Sequence, residues 1–187
     1  MGHDWPALRQ ANEHDAAARL PFVLNGVRVG SVARAHLQPL RTLGLQVDTA
    51  QVTLQAASEA LDATLAALNA ELRRQGLILA WRDEPFAIFD PATGSRLGTM
   101  ERAAARFWGT LTLGAHANGY VAGSEGRPVA MWIAQRAFDK ATDPGLFDNL
   151  IGGGVPEGQA PLQALQREGW EEAGLSAAQM ASAVPAS

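Results

Sequence analysis

The spacing of apolar residues predicts one long helix in the first half of the chain. Four leucines recur every three or four residues between Ser58 and Gln75, which places them on one side of a helix. They are Leu61, Leu65, Leu68 and Leu72. Ser58 is a suitable N-cap, and Gly76 is suited to end the helix. We therefore expect the leucine side of this helix to pack into a core.

Around this helix, short apolar runs alternate with turn residues, a pattern typical of strands. Asn25-Gly26 stands between two such runs and is a strong hairpin signal. The predicted strands are 22–24, 27–29, 51–54, 77–81 and 86–89, and the predicted shorter helices are 4–19, ended by Pro21, 33–37, broken near Pro39, and 101–106. This mixture predicts a small N-terminal α/β domain over residues 1–106.

From residue 107 the pattern favours strands that lead into a second helix. The β-like runs are 110–115, 118–121 and 129–135. Pro161 suits the first turn of a helix, and Gly174 suits the left-handed position after its last turn. Three residues between them keep the spacing of a buried side, namely Leu162, Leu165 and Gly169. We therefore predict a second domain over residues 107–187 and an α+β protein overall.

Composition and charge exclude several classes of protein. The 187 residues suffice for one large domain or two small ones, and 47% apolar with 18% charged residues is ordinary for a globular protein. A net charge of −4 without a Lys/Arg cluster argues against a nucleic-acid partner. No apolar run approaches the roughly 18 residues of a membrane span, and the N-terminus does not resemble a signal peptide. We therefore expect neither a nucleic-acid nor a membrane partner.

The chain contains no cysteine, which excludes disulfides, thiolate chemistry and cysteine-ligated zinc. The absence of disulfides is compatible with a reducing compartment. We expect a cytoplasmic location.

The predicted second helix carries three carboxylates on one side. Glu168, Glu171 and Glu172 fall at positions i, i+3 and i+4. Like charges at this spacing destabilise a helix by about 0.2–0.5 kcal/mol per pair, and the C-terminal end of a helix favours cations. A bound divalent cation would turn the repulsion into attraction, and oxygen ligands without Cys or His indicate Mg²⁺ or Mn²⁺. A solvated acidic surface explains the carboxylates alone equally well.

The carboxylates belong to a longer motif that resembles the Nudix box. A glycine-rich stretch, Gly152-Gly153-Gly154, precedes the helix. Counted from Gly153, the residues in register with the box are Arg167, Glu168, Glu171, Glu172, Gly174 and Leu175. Gln159 stands where the box has its first Glu, and Gly169 stands where it has an aliphatic residue. The resemblance implies a Nudix α/β/α sandwich, in which a mixed sheet packs against the catalytic helix.

The resemblance also implies roles for these residues. Glu168, Glu171 and Glu172 would hold Mg²⁺ or Mn²⁺, with the backbone carbonyl of Gly152 or Gly153 as a further oxygen ligand. Glu168 is the preferred general base, and a base outside this stretch is an equal alternative. Arg167 would orient the carboxylates through bidentate hydrogen bonds. The motif residues that shape the loop and end the helix are Gly154, Gln159 and Gly174. Because Gln159 replaces a Glu, one outer contribution to the metal site is in question.

The segment before the box narrows the resemblance. Arg136, Lys140, Asp143-Pro144-Gly145 and Asp148-Asn149 precede the glycine-rich stretch, and this segment is similar to Nudix proteins related to the domain attached to eukaryotic thiamine pyrophosphokinases. Those proteins carry their own N-terminal domain, and residues 1–106 have a matching size and place. The resemblance implies hydrolysis of a diphosphate linkage in thiamine diphosphate-type compounds. Arg136 and Lys140 would meet the phosphates of the substrate, or they are solvated charges at a strand end.

The Nudix pattern continues past the box with further strands and a helix, whereas this sequence stops at Ser187. We therefore expect a Nudix domain that is incomplete at its C-terminus, with exposed sheet edges prone to association and compatible with a homo-oligomer. Two other functions remain open besides the hydrolase of a small diphosphate. One is a non-catalytic Nudix-fold binding module, which Gln159 favours. The other is an isopentenyl diphosphate isomerase-like protein, and the absence of cysteine counts against it.

Overall fold

The N-terminal part of the molecule is built on a four-stranded sheet. The computed structural model describes residues 6, 9, 13, 15–140 and 143–185. The strands are β1 (Arg19–Leu24), β2 (Val27–Ala33), β3 (Gln46–Val47) and β4 (Val52–Leu54), in the order β2-β1-β4-β3. β1 runs antiparallel to β2 and parallel to β4. This sheet confirms the strands predicted over the first 54 residues.

The β1–β2 hairpin confirms the turn predicted at Asn25-Gly26. Their φ angles of 48° and 86° are those of a two-residue turn that needs positive φ at both positions. The helix predicted over 4–19 is wrong at its end, because β1 already begins at Arg19 and contains Pro21. Pro21 is tolerated there because the pairing of β1 with β4 begins only at Phe22. Most of that predicted helix lies outside the described residues.

Among the described residues, three α-helices and a second hairpin follow this hairpin in the N-terminal part. They are α1 (Leu37–Thr42), α2 (Leu61–Arg74), β5 (Pro85–Phe89), β6 (Arg96–Glu101) and α3 (Arg102–Trp108). The four leucines of α2 are buried, as predicted. Ser58 is not the cap of α2, because a short 3-10 turn over Ser58–Ala60 precedes it. Pro39 is the third residue of α1 and does not break it. The N–H groups of the first turn of a helix have no intrahelical partner, so a proline there removes no hydrogen bond.

The strand predicted over residues 77–81 is wrong, because this stretch belongs to an irregular loop between α2 and β5. Ala80 and Asp83 have φ angles of 59° and 57°, in a region that residues with a side chain rarely adopt. A strand needs negative φ at each of its residues. The loop therefore holds a backbone shape that apolar patterning alone does not reveal.

The core of the N-terminal part is centred on Trp108. Its indole is fully buried, stacks on Phe22 with ring centroids 4.3 Å apart, and donates a hydrogen bond of 2.7 Å to Asn69 Oδ1. Phe107, just before Trp108, belongs to the same core. Helix α3 thus runs on past residue 106 into the core, while the division of the chain at 106/107 stays a prediction.

In the C-terminal part, the described residues form three antiparallel strand pairs and two helices. The elements are β7 (Gly114–Ala117) with β12 (Ile151–Gly154), β8 (Gly119–Ala122) with β9 (Pro128–Trp132), β10 (Ala134–Gln135) with β11 (Phe147–Asp148), α4 (Pro161–Ala173) and α5 (Ala177–Met180). Helix α4 packs against β7 and β12. The mixture of helices and strands confirms the α+β class. Each described helix is too short or too polar to cross a lipid bilayer.

Both predicted ends of α4 are confirmed, whereas its buried side differs from the prediction. Pro161 occupies the first position, and Gly174 follows the helix with a φ of 64°. Leu162 is exposed, and the buried residues are Ala164, Glu168 and Gly169. Gly169 is thus buried as predicted, Leu162 is not, and the carboxylate of Glu168 joins the buried side.

The glycine-rich stretch is a strand and not a loop. Gly152, Gly153 and Gly154 lie in β12 and pair with β7. The loop that leads to α4 begins only after them, at Val155. The backbone of a strand without side chains thus faces the helix that carries the carboxylates.

Candidate active site

The carboxylates of α4 lie against the backbone of β12. Glu168 is buried, and a methyl group on Gly153 would overlap its carboxyl carbon. The Gly152 N–H donates a hydrogen bond of 3.0 Å to Glu172 Oε2. Because glycine has no side chain, the strand can approach the carboxylates this closely.

Arg167 lies between two of the three carboxylates. Its Nη2 is 2.8 Å from Glu168 Oε1, and its Nη1 donates to Glu171 Oε2 at 3.2 Å. Arg167 contacts each carboxylate through a single nitrogen and not through the bidentate pair predicted, and its orienting role stays a prediction. Within the described ranges, no three His, Cys, Asp or Glu side chains are grouped closely enough to hold a metal ion. Glu168 and Glu171 therefore share Arg167 as a partner, whereas Glu172 accepts a hydrogen bond from the Gly152 backbone.

The surroundings of Glu168 favour its protonated form. Burial raises the pKa of the Glu168 carboxyl, the charge and hydrogen bond of Arg167 lower it, and the neighbouring Glu172 and Glu171 raise it further. The net shift is upward, because loss of hydration outweighs the attraction of a single arginine. A carboxyl with a raised pKa holds a proton more tightly than an ordinary glutamate, which suits a general base.

The departure from the Nudix box at Gly169 has a packing explanation. A methyl group on Gly169 would lie 2.9 Å from Met180 Sδ and 3.3 Å from Ile151 Cδ1. Met180 is buried although it belongs to the short helix α5. Its side chain fills the space that an aliphatic residue at position 169 would need.

Most of the predicted site residues line one cavity of about 930 Å³ in front of α4. Its lining includes the predicted residues Arg136, Lys140, Gly152, Gly153, Gln159, Arg167, Glu168, Glu171 and Glu172. Two predicted residues are absent from this lining. Gly154 packs against the Phe86 ring, which a methyl group there would overlap, and Gly174 ends the helix. Carboxylates and cations thus face one space.

The N-terminal part contributes to the same cavity through residues that the sequence did not single out. Glu84 and Arg102 line it and form an ion pair of 2.7 Å. Glu84 also lies 3.9 Å from Arg167, so acidic and basic groups alternate from α3 to α4. Glu84 and Arg102 belong to no motif, and no sequence signal could have found them.

The two cations predicted to meet phosphate differ in their surroundings. Arg136 forms an ion pair of 2.9 Å with Asp148 and donates a hydrogen bond of 3.1 Å from Nε to the Asp143 carbonyl. Lys140 is exposed at the rim of the cavity. Asp148 and Asp143 thereby fix the direction of the Arg136 guanidinium.

A contact between the two parts holds the loop that precedes α4. The Glu157 carboxylate accepts hydrogen bonds from Arg96 and from the Thr99 hydroxyl, both on β6. The Glu157 N–H also donates a bond of 2.8 Å to the Pro85 carbonyl. Burial acts to raise the pKa of Glu157, but the bonds from Arg96 and Thr99 and the charge of Arg96 hold it below its ordinary value of 4.5.

Replacing Glu157 with Gln should lower the free energy of unfolding by about 1 kcal/mol at pH 7, because a partly exposed ion pair is lost. A carboxyl whose pKa is lower in the folded state stabilises the fold above its ordinary pKa of 4.5, and this contribution disappears as the pH falls through the folded value. Urea unfolding at several pH values measures the difference. The exposed Glu59→Gln is the control. A difference between wild type and Glu157→Gln that stays constant down to acid pH would contradict this role.

The side chains of the cavity fit a hard divalent cation by chemical type. Three carboxylates and the β12 carbonyls are oxygen ligands, which Mg²⁺ and Mn²⁺ prefer, and together they line one cavity. The absence of a side chain at Gly153 brings the Glu168 carboxyl directly against the β12 backbone, beside the carbonyls that would share the ion. In the structure Arg167 supplies the positive charge between Glu168 and Glu171, so a cation would take over these two carboxylates from it.

Two family models match the chain. The domain of unknown function DUF4743 matches residues 5–112, and the NUDIX domain matches residues 112–185. The second match contains the carboxylates of α4, and the first contains Glu84 and Arg102. The cavity is therefore lined from both matched regions.

Three similar proteins extend the comparison. Nudix hydrolase 20, chloroplastic, of Arabidopsis thaliana is 36% identical over 104 residues, which cover 56% of this chain and 27% of that protein. Nudix hydrolase 24, chloroplastic, of the same plant is 28% identical over 172 residues, which cover 84% of this chain and 44% of that protein. An uncharacterized protein of Saccharomyces cerevisiae is 27% identical over 164 residues, which cover 81% of this chain and 47% of that protein. The chain thus spans less than half the length of each of these relatives.

Proposed function

We infer the function from one premise: the chain belongs to the family defined by the DUF4743 domain, and a Nudix domain follows that domain. Nudix hydrolases are among its relatives. We propose that the protein is a Nudix hydrolase that uses Mg²⁺ or Mn²⁺ to cleave a diphosphate linkage in a small molecule.

The observation that carries this proposal is the single cavity shared by the α4 carboxylates and the cations Arg136 and Lys140. A diphosphate carries several negative charges, which the cations attract directly and the carboxylates would repel without a metal ion between them. A cavity with both kinds of side chain therefore suits a diphosphate that binds together with a divalent cation.

Each residue has a role in this proposal. Glu168, Glu171 and Glu172, with the Gly152 or Gly153 carbonyl, would hold the ion, which when bound neutralises phosphate charge and polarises the attacked phosphorus. Arg136 and Lys140 orient the phosphates. Water attacks one phosphorus and passes a proton to Glu168, whose raised pKa suits this task, and the bond to the bridging oxygen breaks. The products are two phosphate-bearing fragments.

Within this class, we propose thiamine diphosphate-type compounds, including damaged or adenylylated forms, as substrates. The support is the segment that contains Arg136, Lys140, Gly145 and Asp148, where Gly145 has a φ of 71° and its N–H donates to the Arg136 carbonyl. This turn holds the strand pair β10–β11 that carries Arg136 at its end. A cytoplasmic location remains part of the proposal, while the word chloroplastic in two names belongs to those Arabidopsis proteins.

A non-catalytic binding module is the second candidate. It is favoured by Arg167, which already neutralises Glu168 and Glu171, and by Gln159 in place of the first Glu of the box. Such a module would bind a diphosphate without consuming it. Binding without turnover distinguishes it from the hydrolase.

A substrate panel with a matched pair of variants tests the proposal. We expect cleavage of the diphosphate linkage, followed by chromatography of the monophosphate products, in at least one of thiamine diphosphate, an adenylylated thiamine diphosphate and a nucleoside diphosphate, with Mg²⁺ or Mn²⁺ only. Glu171→Gln should lower the rate about a hundredfold, because a metal ligand is lost. Glu125→Gln makes the same change in an exposed turn residue outside the cavity and should leave the rate unchanged.

Absence of metal-dependent cleavage of every member of the panel would remove the hydrolase proposal. Tight binding of one member under those conditions would favour the binding module. Equal rates for Glu171→Gln and Glu125→Gln would show that the α4 carboxylates do not hold the ion.

A further inference from the structure

We propose that the N-terminal loop over residues 77–83 is the substrate-recognition loop of the cavity. In this proposal Arg82 binds the diphosphate, and Leu79 packs against an apolar or aromatic group attached to it. The inference rests on the proposed function, and it assigns to the N-terminal part the choice of the organic group.

Four cations mark the place where two cavities meet. A second cavity, of about 640 Å³, lies next to the one in front of α4. Both cavities are lined by Arg82, Arg102, Arg136 and Lys140. Two of these residues come from the N-terminal part and two from the C-terminal part. A diphosphate at this junction is in contact with both parts of the molecule and lies beside the α4 carboxylates.

The four cations fall into two classes. Arg102 is paired with Glu84, and Arg136 with Asp148. Arg82 and Lys140 are exposed, and their side chains form no ion pair with the described carboxylates. The described residues that line the second cavity include both cations and no Asp or Glu, so that side of the junction is positively charged. Such charge attracts an anionic ligand.

The loop holds Arg82 in a defined position. Ala80 and Asp83, on either side of Arg82, have positive φ angles of 59° and 57°, which cost free energy in residues with a side chain. Trp81 Nε1 donates a bond of 2.7 Å to Asp83 Oδ1, and the Arg73 guanidinium lies 4.8 Å from the Trp81 ring. Unfavourable backbone angles persist where the surroundings enforce them, often at ligand sites. The loop is thus built to present its side chains in one arrangement.

The second cavity has an apolar wall beside the four cations. Leu77, Leu79, Ala103 and Phe107 line it. Leu79 is 73% exposed, which is unusual for a leucine held in a shaped loop. Covering this side chain with an apolar group of a ligand would remove it from water and stabilise the complex. The cavity therefore suits a diphosphate ester with an apolar or aromatic group better than inorganic pyrophosphate.

Two ligands that cannot be hydrolysed separate the role of Arg82 from that of Leu79. We would titrate methylenediphosphonate and its phenyl monoester into the 187-residue chain with Mg²⁺, by calorimetry. Wild type should bind the phenyl ester more tightly. Arg82→Gln should weaken both ligands about tenfold, because a charge-assisted contact is lost. Leu79→Ala should weaken only the phenyl ester, by about fivefold.

Matched variants control for charge and size. Arg41→Gln removes an exposed arginine of α1 outside both cavities, and Leu111→Ala shortens a leucine that is 49% exposed and also lies outside them. Both should bind like wild type. Because Leu79 and Arg82 are exposed, their replacement should leave thermal unfolding unchanged, and this measurement accompanies each titration.

The outcomes for this inference and for the proposed function are distinct. If Arg82→Gln binds like Arg41→Gln, or Leu79→Ala like Leu111→Ala, the assigned recognition loop is wrong, whatever substrate is hydrolysed. Failure of wild type to bind either ligand also overturns it. If the predicted binding differences occur but no diphosphate is hydrolysed, the loop stands and the hydrolase proposal fails.

Discussion

Replacing Glu168 with glutamine is expected to lower the rate of diphosphate hydrolysis by about 10²–10⁴-fold, the range associated with loss of a general base. The glutamine side chain keeps nearly the same shape and can still accept a hydrogen bond from Arg167. It cannot accept the proton of the attacking water, and it is a weaker ligand for a hard cation. Steady-state rates over a range of Mg²⁺ concentrations measure the loss. Saturating Mg²⁺ should fail to restore the rate, because the base is missing as well as the ligand.

The same substitution should stabilise the metal-free protein at neutral pH. Burial raises the pKa of Glu168 above its ordinary value of 4.5, so the folded state binds its proton more tightly than the unfolded state. The wild-type fold therefore loses stability as the pH rises from about 4.5 through the raised pKa, and Glu168→Gln does not. Urea unfolding without divalent cations, carried out from acid to neutral pH, measures this difference. The free energy of unfolding of wild type should fall below that of Glu168→Gln by an amount that grows as the pH rises.

Glu125→Gln provides the control for both measurements, since this side chain is exposed in a turn. It should change neither the rate nor the pH dependence of stability. A Glu168→Gln protein that keeps more than a tenth of the wild-type rate would assign the base elsewhere. Parallel stability curves for the two proteins would show that burial of Glu168 does not shift its titration.

The second large effect is expected from Gly153→Ala, because the added methyl group would overlap the Glu168 carboxyl. Either β12 or Glu168 must move, and such overpacking costs about 1–3 kcal/mol of stability. A displacement of about 1 Å in a reacting group lowers rates about a hundredfold. We therefore expect losses of both stability and activity, measured by urea unfolding and by the diphosphate assay.

Gly126→Ala is the control, because it makes the same Gly→Ala change at a position where the added methyl group overlaps nothing. Gly126 has a φ of 73° and nothing within 4 Å of an added methyl group. Its replacement should cost about 1–2 kcal/mol through the left-handed backbone alone and leave activity unchanged. If Gly153→Ala were as active as Gly126→Ala, close contact between β12 and Glu168 would have no part in catalysis.

The features that the sequence predicted correctly depend on local signals. The Asn25-Gly26 turn needs only two residues that tolerate positive φ, and the leucine side of α2 needs only helical spacing. The ends of α4 follow from Pro161 and Gly174 in the same way. In each case one segment carries enough information to define its own geometry.

The features that were missed depend on contacts between distant segments. Gly152 and Gly153 form a strand because β7 pairs with them, and Glu168 is buried because β12 packs over it. Glu84 and Arg102 enter the cavity only because the N-terminal part packs against α4. None of these pairings leaves a periodic trace in the sequence. The motif identified the chemistry of α4, and the fold determines what surrounds it.

The β8–β9 hairpin gives the molecule an intrinsic optical reporter. Trp132 at the end of β9 is 61% exposed, whereas Trp108 is sealed in the core. An indole in water emits at longer wavelength and is quenched by dissolved acrylamide, while a sealed indole is protected from both effects. A molecule that covers the hairpin would remove Trp132 from water and shift its emission to the blue without changing the signal of Trp108. Because Trp170 is also 67% exposed, replacing Trp170 with Phe makes this shift specific to Trp132.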